Sequence, residues 1–190
     1  MTSASKSGSS EPIDYFDGIG YIYRVPRVGS DGNHLTLILR QAFIEEAAKT
    51  KKIQIYGIYG ELSSIDVISS ALDEKYADCQ VNIQLIFGPK IKNDNNNKKD
   101  LKSLFLNNRG KLFLFQAERR PQSHALVVND NLIYEDFHPE GVSYDEATVI
   151  EGGSEALVSR FIRDFNQLLN DPTTHPLDDE EQIDKIKTYS

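Results

Sequence analysis

Apolar positions along the chain follow two periods, one of three to four residues and one of two. Leu35, Ile38, Leu39, Ala42 and Phe43 recur at helical spacing and predict a helix over Leu35–Lys49, with Asp31 or Asn33 as its cap. Ile53–Tyr59 is β-branched and aromatic and predicts a buried strand, broken by Gly60. Ile65, Ile68, Ala71 and Leu72 predict a second helix over Ile65–Tyr76, capped by Ser63 or Ser64. Val81, Ile83, Leu85 and Phe87 alternate as a strand does, and Gly88-Pro89 ends the run. A short helix over Lys99–Leu106 precedes strands over Lys111–Gln116, Ser123–Val128 and Leu132–Tyr134, the last two joined by a tight turn at Asn129-Asp130-Asn131. Ala147–Ile150 reads as a short edge strand. Ala156, Leu157, Phe161, Phe165, Leu168 and Leu169 place a helix over Ser154–Leu169, stopped by Asp171-Pro172. Upstream, Tyr15–Val28 is aromatic and extended in character, and Gly29–Asn33 is a turn cluster.

A strand–helix–strand unit implies a parallel pair, and the later hairpin adds antiparallel strands. The expected fold class is therefore α/β: a mixed β-sheet flanked by helices, an α/β sandwich. Met1–Pro12 is Ser-rich and aperiodic, Asn93–Asn97 is a polar loop, and residues 137–147 are irregular. The expected organisation is a leader at 1–12, one domain at 13–172, and an acidic tail at 173–190 that is flexible at its end.

Composition narrows the function classes. No run of about 18 apolar residues occurs, and the N-terminus lacks an apolar stretch, so neither a membrane span nor a secretory signal is expected. A single cysteine, Cys79, excludes an internal disulfide and a Cys-based zinc cage, and its place before a strand suggests burial. A soluble, cytoplasmic protein is the expectation. The net charge of −8 opposes generic binding to nucleic acid or anionic lipid. That charge is uneven: residues 1–88 balance at −3, residues 89–120 at +6 and residues 121–190 at −11. The basic stretch is either a solvated surface or a patch facing an anion, and it could pair with the acidic tail within one chain or across a dimer. No G-x-G-x-x-G, P-loop, G-x-S-x-G or H-E-x-x-H spacing is present, and no cofactor is expected.

The most informative segment is Ser123-His124-Ala125-Leu126-Val127-Val128-Asn129-Asp130-Asn131, in which a histidine leads an apolar strand that ends in an Asp-containing turn. With the element order before it and the Phe-rich helix after it, the chain resembles a single phospholipase D-like (HKD) domain over roughly Leu35–Asn170. The motif of that family is H-x-K-x-x-x-x-D followed by a G-S segment. His124 matches the histidine. The lysine position falls on Leu126, and the aspartate position on Asn131, or on Asp130 if one residue has been lost. Gly141-Val142-Ser143 and Gly153-Ser154 lie near the G-S position but off its spacing.

The resemblance implies chemistry by two histidines, one from each of two motifs, so a single-motif chain must dimerise to act. One histidine attacks phosphorus, the other protonates the leaving oxygen, and the lysines supply positive charge to the phosphoryl oxygens. Losing one such donor costs about 3–4 kcal/mol in comparable sites. Lys90, Lys92, Arg119 and Arg120 are the candidate substitute cations, and His138 is a further candidate binding residue. His138 with Glu135, Asp136 and Glu140 offers the donor types that metals use, but a loop closing over the sheet end is the simpler reading and no metal is expected. His124 is catalytic only if the chain is active; otherwise it is a hydrogen-bonded residue of the core or rim. His34 and His175 read as capping or surface residues.

Two functions follow. The first is a non-catalytic phospholipase D-like interaction module, homodimeric or docked on a larger protein partner, as small single-domain members of the family accompany nucleic-acid-processing or defence systems. The alternative is a dimeric phosphodiesterase or nuclease using His124 from two chains, with residues 89–120 tracking a nucleic-acid backbone. No membrane partner is expected.

Overall fold

The computed structural model describes residues 14–16, 20–26, 35–59, 66–92, 97–121, 124–135, 146–152 and 155–189. In chain order the elements are β1 (Asp14–Phe16), β2 (Gly20–Pro26), α1 (Leu35–Lys49), β3 (Lys52–Tyr59), α2 (Asp66–Ala71), β4 (Gln80–Phe87), β5 (Lys90–Lys92) and α3 (Asn97–Asn107). They continue with β6 (Leu112–Ala117), β7 (His124–Val128), β8 (Asn131–Glu135), β9 (Glu146–Glu151), α4 (Glu155–Leu169), β10 (Thr174–Pro176), α5 (Glu180–Lys185) and β11 (Lys187–Tyr189). The leader at 1–12, the caps proposed at Asp31, Asn33, Ser63 and Ser64, and His34 lie outside the described residues. So do His138, the Gly141–Ser143 and Gly153-Ser154 pieces, and positions 93–96 of the polar loop.

The main sheet runs β1-β2-β9-β8-β7-β3-β4-β6-β10, and a separate pair joins β11 to β5. β3, β4 and β6 are parallel, as the intervening helices require; β7 returns antiparallel beside β3. The mixed α/β sandwich read from the sequence is therefore the architecture. The period of two sends Ile53, Ile55, Ile83, Leu85, Leu112, Leu114, Leu126 and Val128 to one face, where α1, α2, α3 and α5 cover them. Ile58, Ile86, Ala117, Ala125 and Val127 point to the other face, under Phe161 and Phe165 of α4. The Phe165 ring meets Tyr56 edge-on, at 5.4 Å between centroids.

Four expectations change. The buried stripe of α1 is Thr36, Arg40, Phe43, Ile44 and Ala47, while Ile38 is 53% exposed. The long stem of an arginine can lie along apolar surface, so a helix face need not be written in apolar residues. The second helix ends early. The Asp73 carboxylate accepts the Lys75 N–H at 2.9 Å and starts a 3-10 turn over Glu74–Tyr76, a local bond that competes with a continued α-helix. β9 is not an edge strand: it lies between β8 and β2, because the aromatic β1–β2 segment adds outside it.

The fourth correction concerns the residues after Pro172, expected to form an acidic tail that is flexible at its end. They form β10, α5 and β11 and place Leu177, Ile183 and Ile186 in the core. The acidic helix is held by the basic stretch, one of the pairings that the charge distribution suggested. Lys98 Nζ donates to the carbonyls of Asp184 and, at 3.0 Å, of Ile186; Lys102 Nζ meets Asp184 at 2.9 Å and Glu180 at 3.5 Å. Lys102 holds the Asp184 carboxyl below the usual range.

Among the described strands β10 pairs only with β6, and its register turns the backbone edges of Thr174 and Pro176 away from that partner. The Thr174 N–H donates to the Asp171 carbonyl at 2.9 Å, and Pro176 has no N–H.

Candidate functional site

The chain runs β3, β4, β6 in one direction across the sheet and then returns to the other side of β3 as β7. The C-terminal ends of the parallel strands are the usual ligand position in open α/β sheets. His124 is the first residue of β7 and so lies at that edge, beside the last residue of β3, Tyr59. Its half-buried ring meets the Tyr59 ring edge-on, with centroids 4.7 Å apart and planes at 87°. Continuing along the edge, Tyr59 pairs with Phe87, Phe87 with Gln116, and Gln116 with His175. His124 and His175 thus share one face and one row, separated by four strand spacings, roughly 19 Å. These two histidines cannot act on one phosphorus within a single chain.

Leu126, on which the motif spacing was expected to place the lysine, is a core side chain. Leu126 is 1% exposed and lies opposite Gly57 of β3. A Cβ on Gly57 would stand 2.7 Å from Leu85 Cδ2 and from Tyr59 Cε2, and 3.3 Å from Leu126 Cδ1. The missing side chain at Gly57 is the hollow into which Tyr59, Leu85 and Leu126 close. Two positions beyond His124 on the same face, the site is hydrocarbon, and an ammonium there would lose its hydration.

The aspartate position lies at the far end of the hairpin, where Asn131 pairs with Val128, four extended residues or about 13 Å along the strand from His124. Asp130 is exposed in the turn. Asn131 Oδ1 accepts the Gly152 N–H at 2.9 Å and ties the hairpin to the end of β9. Asn129, at φ 50°, extends the β3–β7 ladder with its side chain, accepting from Gln54 N at 2.8 Å and donating to the Lys52 carbonyl at 3.0 Å.

The candidate substitute cations follow the C-terminal ends of two parallel strands, β4 and β6. Lys90 is the register partner of Lys187 on β11, and Lys92 that of Tyr189. Arg119 and Arg120 follow β6 on the same sheet edge as His124. Arg119 contributes to holding the Asp171 carboxyl low, after the larger effect of the Thr173 hydroxyl and amide. His138 lies outside the described residues, and among those described no group of three or more His, Cys, Asp or Glu is placed to hold a metal. Cys79 is buried, which pushes its thiol up. No described helix is long and apolar enough to cross a membrane.

Sequence reasoning singled out His124 and Leu126 but missed Gly57 and Tyr59, whose pairing with them rests on strand register. It also missed the pairing of His175 Nε2 with Glu118 Oε1 at 3.1 Å.

No protein-family model matches the sequence, and neither does any curated protein. Solved structures do match. Nuc from Salmonella typhimurium, a phospholipase D family member, aligns at TM-score 0.52 and 13% identity, over 83% of this chain and 99% of that one. The phosphatidylserine synthase of Haemophilus influenzae Rd KW20 aligns at TM-score 0.53 and 12% identity, over 85% of this chain and 41% of that one. TrmBL2, an archaeal chromatin protein with a novel mode of DNA binding, aligns at TM-score 0.52 and 14% identity, over 79% of this chain. This chain spans about half of the TrmBL2 chain, 53%. With its mixed sheet flanked by helices and these alignments, the chain has the phospholipase D-like fold.

Proposed function

We propose that the chain is a non-catalytic interaction module with a phospholipase D-like fold, serving as an accessory subunit of a larger assembly. The observation that carries this reading is Leu126, sealed in the core at the position where the motif requires an ammonium group. Without that cation the developing charge on phosphoryl oxygens has no fixed partner two residues from His124, and a symmetric dimer would lack both lysines. A partner that processes nucleic acid, in a defence system or elsewhere, is the kind that the family resemblance suggests. The cations at 89–120 support direct nucleic-acid binding less, because Lys98 and Lys102 already face the acidic helix α5.

The test has two parts. Hydrolysis of bis-p-nitrophenyl phosphate and of single-stranded DNA is measured for the wild type and His124→Ala. Mass in solution is then measured alone and with candidate partners. Background hydrolysis in both proteins, together with a dimer or a hetero-complex, is the expected result. Turnover that disappears in His124→Ala overturns the reading in favour of a dimeric phosphodiesterase. A strict monomer that binds none of the candidates also overturns it.

A further inference from the structure

We propose that a second cleft, at the β6–β10 side of the sheet, binds a small phosphomonoester that also carries a hydroxyl group. The cleft measures about 270 Å³ and is lined, among the described residues, by Pro89, Gln116, Glu118, His175, Lys185 and Lys187. This volume lies below the range of drug-sized pockets and suits a ligand of a few carbon atoms. Of its lining residues, Gln116 lies roughly 14 Å and His175 roughly 19 Å from His124 along the sheet edge, so it is a separate site and does not depend on whether His124 is catalytic.

Two independent features give it polarity. At one end Lys187 lines the cleft and is the direct register partner of Lys90 just outside the lining, and both are exposed. Like charges placed directly opposite each other on paired strands are unfavourable, and a bound anion relieves that repulsion. Lys185 adds a third ammonium, partly neutralised by Glu181 at 2.7 Å. At the other end Glu118 holds the His175 ring through its hydrogen bond, and Gln116 is the strand partner of His175. The Glu118 carboxylate would repel an anion close by, so the phosphate belongs at the lysine end. Glu118 and Gln116 suit a hydroxyl, which can donate to either.

The experiment follows amide and histidine-ring NMR signals of the full chain during titration with glycerol 3-phosphate, inorganic phosphate, succinate and glycerol. Saturable shifts centred on Gln116, His175 and Lys187 are expected with glycerol 3-phosphate, weaker ones with phosphate, and none with glycerol. Lys187→Gln should weaken glycerol 3-phosphate binding about tenfold, the scale of one charge-assisted contact. Lys111→Gln, at the opposite end of β6, should leave binding unchanged and controls for general charge. The proposal is overturned if no probe gives saturable shifts at millimolar concentration, or if the shifts centre on His124. It is equally overturned if succinate binds as well as glycerol 3-phosphate, or if Lys187→Gln and Lys111→Gln behave alike.

Discussion

Leu126 lies over Gly57, filling a hollow that exists because the facing strand has no side chain there. A lysine placed there by Leu126→Lys would therefore not create a phosphate site. The ammonium would lie in the core without a carboxylate partner, a situation that costs about 3–5 kcal/mol. Urea denaturation should show that loss, and hydrolysis of bis-p-nitrophenyl phosphate should remain at background. The complementary change, Gly57→Ala, overpacks the same spot and should cost about 1–3 kcal/mol.

The edge-on contact between His124 and Tyr59 is a packing relationship that any aromatic ring of similar size can make. His124→Ala should lower stability by about 1 kcal/mol, and His124→Phe should recover most of it. Thermal melts of the two variants check this. A Phe variant as unstable as the Ala variant would show that the imidazole nitrogens, and not the ring face, hold the position.

Asn129 makes two side-chain hydrogen bonds to the backbone of β3 while adopting φ 50°. Asn129→Ala loses both bonds and strains the turn, for an expected cost of about 2 kcal/mol. Asn129→Gly loses the bonds but accepts the backbone, and should cost less. Equal losses by chemical denaturation would assign the whole effect to the bonds.

The Lys102–Asp184 contact makes the docking of α5 depend on pH. The folded Asp184 carboxyl titrates below the ordinary aspartate value near about 4, because Lys102 donates a hydrogen bond to it. Its stabilising effect is complete above that ordinary value and disappears as pH falls through the lowered folded value. Amide hydrogen exchange in α5 should accelerate over that acidic window relative to β4. Asp184→Asn should show faster exchange already at neutral pH and a smaller acid response, with Glu180 still beside Lys102.

The bounds of α1 and of the strands around the hairpin were legible because their periods are strong and local. The face of α1 was not, since Thr36 and Arg40 enter the core and hydropathy does not mark them as apolar. Nor was the interior place of β9, because its outer neighbour is β2, more than a hundred residues earlier in the chain. The C-terminal acidic residues masked Leu177, Ile183 and Ile186, three widely spaced apolar positions whose burial depends on α3 and β5 being nearby. At the candidate site, the role of His124 as a strand start could be read directly. The Tyr59 ring beside it could not, since that contact rests on a register between residues 65 positions apart.

The outward rim of β10 offers an incoming strand carbonyl oxygens but no amide hydrogen, since Thr174 has spent its own on Asp171 and Pro176 never had one. Self-templated polymerisation needs both partners of the ladder and cannot begin there. Among the described strands of the main sheet, a copy or foreign chain that lengthens it by ladder pairing is therefore disfavoured at β10, and β1 is the other terminal strand.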